Sequence, residues 1–155
     1  MQITLKRTNS GDKDFKVLVT QLDKDLRDRN GDVMDLYDEH NVIEEIETVV
    51  IGYLDSIPVA CGCFKKYDAN TAEVKRMYVA AQARGKGLSF EILTELEQWA
   101  SALNYKYLIL ETGNKQIEAH GLYKKANYKQ IPAYGVYRGL PDSVCFKKEL
   151  KPSAL

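Results

Sequence analysis

Val74-Lys75-Arg76-Met77-Tyr78-Val79 runs through Ala80-Ala81-Gln82-Ala83 into Arg84-Gly85-Lys86-Gly87-Leu88-Ser89. Beyond it, Leu88, Ile92, Leu96, Trp99 and Leu103 recur at close to the α-helical period. A strand-like run, a loop of glycine and cation, and an amphipathic helix therefore follow one another. Such a loop is a place to hold an anion. The first N–H groups of a helix lack partners inside it, and the helix dipole adds positive potential there. Glycines let the backbone approach a phosphate closely. Two familiar phosphate loops do not fit. A mononucleotide loop needs Ser or Thr after its Gly-Lys, and Gly87 follows Lys86 here. The dinucleotide fingerprint needs a third glycine that is missing.

Composition narrows the setting. The chain has 155 residues, enough for one domain with its own core, expected over residues 1–150 with 151–155 as a tail. Lys+Arg 22 balance Asp+Glu 22, which argues against broad electrostatic binding to nucleic acid or an anionic membrane. No apolar run is long enough to span a bilayer and the start does not read as a signal peptide, so a cytoplasmic protein is expected. The three cysteines, Cys61, Cys63 and Cys145, lack CxxC spacing. They suit neither a disulfide framework nor a zinc site, and no metal is expected. Buried apolar residues are the favoured reading of Cys61 and Cys63. A nucleophilic cysteine would need a base, and the histidines are His40 and His120.

Outward from the loop, periodicity orders the elements. Gln2 to Arg7 alternates as a strand, and Phe15, Leu18, Val19, Leu22 and Leu26 form a helical stripe capped by Ser10 or Asp12. Asn30-Gly31-Asp32 stops that helix, and 33–39 reads as a second short one. Strands are expected over 48–54, 57–64 and 71–79, joined at Asp55-Ser56 and Asp68-Ala69-Asn70. A buried strand spans 105–111, and a helix carries Ala119, Leu122, Tyr123 and Ala126 up to Asn127. An aromatic loop over 131–141 precedes a last strand, 144–150. This order makes an α/β, single-domain, mixed and mostly antiparallel sheet flanked by helices.

Arg84-Gly85-Lys86-Gly87-Leu88-Ser89 resembles the acetyl-CoA-binding loop of the GNAT superfamily of N-acetyltransferases, Arg/Gln-x-x-Gly-x-Gly/Ala, with Ser89 at the position of the usual Gly or Ala. Asn114-x4-Ala119-x2-Leu122-Tyr123-x-Lys125-x-Asn127-Tyr128 is similar to a second signature, with Asn127 in place of glycine. The likeness covers nearly the whole chain, strongest over 73–128, and implies a GNAT-like acyl-CoA N-acyltransferase fold.

It also implies roles. Amine acetylation needs a neutral amine, although an alkyl ammonium titrates near about 10.4. It needs donors for the oxyanion and an acid for the departing sulfur. Glu73, six residues before Val79 and expected on the same face of the strand, is the candidate base; a surface carboxylate at a strand start is the alternative. The resemblance makes Tyr123 the acid beside the thioester sulfur; a core tyrosine is the alternative. Backbone groups of Met77, Tyr78 and Val79 would line the pantetheine arm. Gly85, Gly87, Leu88, Ser89 and Phe90 would offer N–H groups to the pyrophosphate, with Arg84 and Lys86 adding charge; a solvated cation is the alternative for Lys86. Asn114 would hydrogen-bond the arm or cap the helix. Tyr134, Tyr137 and Arg138 would contact the acceptor or pack their loop, and His120 is expected on a neighbouring surface, solvated or stabilising its helix. The acidic segment 23–47 reads as an acidic lip for a cationic amine or, preferably, as a solvated helix face.

The expected activity is direct transfer from acetyl-CoA to a small-molecule or peptide amine in a ternary complex. A non-catalytic acyl-CoA-binding sensor or scaffold is the alternative, and a nucleotide-phosphate site a third reading. The partners expected are the amine acceptor and, as an open option, a second copy in a homodimer, with neither nucleic acid nor membrane.

Overall fold

A computed structural model describes residues 2–30 and 45–152, without the side chains of residues 29 and 30. The expected helix at 33–39 lies outside the described residues, as does much of the acidic segment. Among the described residues the order is β1 (Ile3–Thr8), α1 (Lys13–Asn30), β2 (Thr48–Leu54), β3 (Ile57–Lys66), β4 (Thr71–Val79), α2 (Leu88–Ala102), β5 (Tyr107–Gly113), α3 (Ile117–Lys125), β6 (Lys129–Ile131) and β7 (Ser143–Glu149). The strands form one sheet in the order β1-β2-β3-β4-β5-β7-β6. Every neighbouring pair is antiparallel except β4 and β5. Short β6 was not expected; it ends at Ile131, where the stretch read as an aromatic loop begins.

Local chemistry explains the ends. Asp12 Oδ1 accepts the Asp14 N–H at 2.9 Å and so starts α1, whereas Ser10 Oγ accepts the Ile46 N–H. Asp55 and Ser56, at φ 50° and 72°, make the left-handed two-residue turn whose twist suits an antiparallel hairpin. Asn127 ends the α3 region at φ 72°.

Alternation along β2 and β3 gives the sheet two apolar faces. Val49, Ile51, Cys61 and Cys63 pack with Phe15, Leu18 and Val19 of α1. Val50, Ala60 and Phe64 pack on the other face with Ile92, Leu93 and Leu96 of α2 and Tyr123 of α3. The sheet is thus covered on both sides, and whatever passes between its strands connects two separate layers.

Candidate active site

β4 begins in regular register, Val74 opposite Phe64 and Lys75 opposite Cys63, but then Tyr78 faces Cys61 and Val79 faces Ala60. Three residues of β4 therefore match two of β3, with Arg76 at φ 60°. This is a β-bulge, which reverses the side-chain alternation beyond it and bends the strand. Glu73, Lys75 and Tyr78 consequently share the α1 face, while Val74 and Val79 share the α2 face. The expectation that Glu73 and Val79 lie on one face is corrected: the inserted residue flips one relative to the other.

Residues of β3 accommodate the bulge. A Cβ on Gly62 would lie 2.5 Å from Met77 Sδ and 2.9 Å from Ile92 Cγ2, so glycine makes room for Met77. Cys61 Sγ donates to the Arg76 carbonyl at 3.3 Å and Cys63 Sγ to the Lys75 carbonyl at 3.2 Å. Burial pushes the Cys63 thiol up to about 12 and that of Cys61 higher still. Both stay protonated donors that satisfy bulge carbonyls, consistent with the reading of inert buried cysteines.

β4 and β5 pair only over Thr71–Glu73 and Tyr107–Ile109, and beyond that point no ladder joins them. The split is lined by Lys75, Arg76, Met77, Glu111, Thr112 and Tyr123, among others, around a cavity of about 100 Å³. Met77 and Tyr123 also line a cleft of about 770 Å³ that runs to the glycine loop. Along it stand Tyr78, Val79, Arg84, Gly85, Gly87, Leu88, Ser89 and Phe90, which puts most of the expected cofactor residues in its lining.

Gly85 and Gly87 have φ of 81° and 80°, and nothing approaches the position of a Cβ at either, so the backbone there is open. Gly87 precedes α2 without any side-chain cap, which leaves the first N–H groups of the helix available to an anion. Arg84 is tied in place, Nε donating to the Val79 carbonyl at 2.9 Å and Nη2 lying 3.3 Å from Asp25 Oδ2 of α1.

Two expected cofactor residues do not line the cleft. Lys86 is exposed and is not among the residues lining the cleft. Asn114 does not cap α3, whose N-cap is Gln116; its Nδ2 donates to Asp142 Oδ1 at 3.2 Å and it does not line the cleft. The strand-end turn holds Asn114 to the loop before β7 because its own N–H also donates to the Asp142 carbonyl.

On the α1 face Glu73 is 5% exposed rather than at the solvent edge. Tyr134 Oη donates to its Oε2 at 2.7 Å, and Lys75 Nζ lies 4.0 Å from its Oε1. Lys75 Nζ also donates to Tyr137 Oη at 3.4 Å. The aromatic loop thus packs Tyr134 and Tyr137 against the carboxylate, while Arg138 is exposed. Burial holds the Lys75 ammonium below its usual range, against the pull of Glu73.

Sequence reasoning missed Glu111. It sits on β5 opposite Cys145, and Ser143 Oγ donates to its Oε2 at 2.8 Å. Burial, opposed by Ser143 and Lys75 and reinforced by Glu73, pushes its carboxyl up to about 7. A carboxyl poised there can take a proton near neutrality. The only signal in the sequence was an ionisable residue at the end of the apolar run Leu108-Ile109-Leu110.

Tyr123 faces the split from the other side. Burial and the charge of Glu111 push its phenol well above the usual range, so it stays a proton donor. His120 is half-buried: its ring packs 5.9 Å from that of Phe146, and Nε2 lies 3.0 Å from the Gly113 carbonyl. A carbonyl only accepts, so Nε2 carries the proton and the ring braces the end of β5. Among the described residues, no group of three or more His, Cys, Asp or Glu is placed to hold a metal, and no helix is long and apolar enough to cross a membrane.

Known proteins share this fold. A protein from Klebsiella pneumoniae assigned to the acyl-CoA N-acyltransferases superposes with a TM-score of 0.80 at 25% identity, over 97% of this chain and 99% of that one. A GNAT family acetyltransferase from Elizabethkingia anophelis, solved with acetyl-CoA bound, has the same fold at a TM-score of 0.68 and 19% identity, over 96% and 98% of the two chains. An IAA acetyltransferase from Azospirillum brasilense is 33% identical over 93 residues, 59% of this chain and 61% of that protein. The chain thus spans about three fifths of that curated relative's length. The profile of the acetyltransferase (GNAT) family matches residues 16–128, which takes in the bulge, the glycine loop, the split and Tyr123. The chain belongs to the acetyltransferase (GNAT) family.

Proposed function

We propose that the protein transfers an acetyl group from acetyl-CoA to a primary amine of a small molecule or peptide, directly and within a ternary complex. One observation carries this reading: where β4 and β5 part, a small cavity lined by Glu111 and Lys75 shares Met77 and Tyr123 with a cleft suited to phosphate. Donor and acceptor can then approach from different layers and meet between two strands.

The residues fit acetyl-CoA on their own chemistry. Uncapped N–H groups at the start of α2 would hold the pyrophosphate, with Arg84 nearby. Met77, Tyr78 and Val79 would flank the arm, as an added strand flanks a sheet edge. Acetyl-CoA supplies an activated acyl group on a sulfur leaving group. Tyr123, kept protonated by burial, would hydrogen-bond that sulfur as negative charge develops on it.

On the α1 face an incoming ammonium must lose a proton. Glu111, with its carboxyl near neutrality, is our preferred acceptor of that proton. Glu73, held by Tyr134 and beside Lys75, is better suited to orient the amine and fix the aromatic loop, and it is the second candidate for base.

The test is thiol release from acetyl-CoA across a panel of amines, with products identified by mass spectrometry. Acceptor-dependent release is expected. Tight CoA binding with no turnover on any amine would favour a non-catalytic acyl-CoA-binding module. A melting temperature raised by ATP and not by CoA would overturn the cofactor assignment.

A further inference from the structure

Thr112 stands beside this machinery without a role in it. Its residue is 6% exposed, and its hydroxyl has no hydrogen-bond partner among the described residues. A buried hydroxyl left unpaired is costly, and such groups are rare enough to need an explanation. On β5 it follows Leu108 and Leu110 by the two-residue period, which puts it on the face of α2 and α3. It lines the same small cavity as Met77 and Tyr123. Towards β7 it occupies a regular ladder position opposite Val144, so the backbone there is satisfied and only the side chain is unmatched. Valine would fill the same volume and pack against the same neighbours, so packing does not account for the hydroxyl.

We propose that the Thr112 hydroxyl donates a hydrogen bond to the acyl carbonyl oxygen of the bound thioester. The inference rests on the proposed acetyl-CoA reading and adds a specific contact to it. Tyr123 is assigned to the sulfur, and the remaining acceptor at that end of the donor is the acyl oxygen. Thr112 is then the side chain that distinguishes a charged donor from spent CoA, because CoA carries no acyl oxygen to receive the bond.

Calorimetry on the full chain with CoA and with acetyl-CoA tests this, using wild type, Thr112→Val and Thr112→Ser. Thr112→Val should weaken acetyl-CoA binding by roughly three- to tenfold, the loss expected for one neutral hydrogen bond, and leave CoA binding unchanged. Thr112→Ser should restore the wild-type preference. The melting temperature of ligand-free Thr112→Val should not fall, because the substitution removes an unpaired polar atom. Equal losses for both ligands, an unaltered acetyl-CoA affinity, or failure of serine to restore it would overturn the Thr112 contact while leaving the cofactor reading intact. Failure of the wild type to bind either ligand would instead overturn the cofactor reading, and this contact with it.

Discussion

Glu111→Gln separates the energetic cost of a buried carboxyl from its chemical use. The Glu111 carboxyl titrates at about 7 in the fold against an ordinary 4.5, principally through burial. Its pKa is raised on folding, so its favourable contribution is complete below pH 4.5, where both states hold the proton. Between 4.5 and 7 the unfolded chain ionises first and stability falls; above 7 the loss is complete. A shift of this size corresponds to about 3 kcal/mol. Glutamine keeps the shape and can still accept from Ser143, but it never ionises. The stability of the variant should therefore gain on wild type by up to about 3 kcal/mol as pH rises from 4.5 to 8. In melting temperature that is roughly 6 to 12 °C for a domain of this size. Urea denaturation of both proteins at several pH values measures the gap. Activity should move the other way. Wild-type kcat/KM should rise with a midpoint near pH 7, and the variant should lose that limb together with about 10²-fold in rate. A stability gap that does not vary with pH would refute the assigned titration. An unchanged rate profile would remove Glu111 as the base.

Three further substitutions test other parts of the site. Tyr123→Phe should lower kcat about 10²-fold with little change in KM for acetyl-CoA, since only the sulfur contact is lost; full turnover in a thiol-release assay would end its role as acid. Gly62→Ala drives a methyl into Met77, Ile92 and Leu96 and should cost on the order of 2 kcal/mol by chemical denaturation. Met77→Ala in the same chain should recover part of that loss, and strict additivity would show that the bulge is not what glycine accommodates. Gly87→Ala meets no neighbour, so its cost is the left-handed backbone alone, about 1 kcal/mol, read as a lower melting temperature. An unchanged melting temperature would show that the loop readily adopts another conformation.

Much of the fold was legible because its signals are local. Gly85 and Gly87 announce a left-handed, open loop, and the stripe from Leu88 to Trp99 announces the helix it feeds. Asn127 stops α3 as its chemistry suggests. Strand ends were less legible: β5 begins at Tyr107 rather than Tyr105, and β7 spans Ser143–Glu149 rather than Val144–Leu150. Residues 105 and 106 are apolar and basic enough to extend a strand. Tyr105 N–H instead donates to the Ala100 carbonyl, and Lys106 N–H to that of Asn70.

The candidate site was legible along the glycine loop and hidden around Glu111. By itself the sequence determined the strand, glycine loop and helix that line the cleft, and the helix that carries Tyr123. Each follows from backbone preference and periodicity within a few residues. Only the tertiary structure decided which residues meet. The parity of β4 depends on one extra residue against β3, so Glu73 and Val79 part although their spacing says otherwise. The proton affinity of Glu111 depends on burial and on Ser143, Lys75 and Glu73 from two other strands. The unpaired hydroxyl of Thr112 is a property of its surroundings. Periodicity reports which way a side chain points along its own element, whereas desolvation, pairing and register across strands arise only when distant segments pack together.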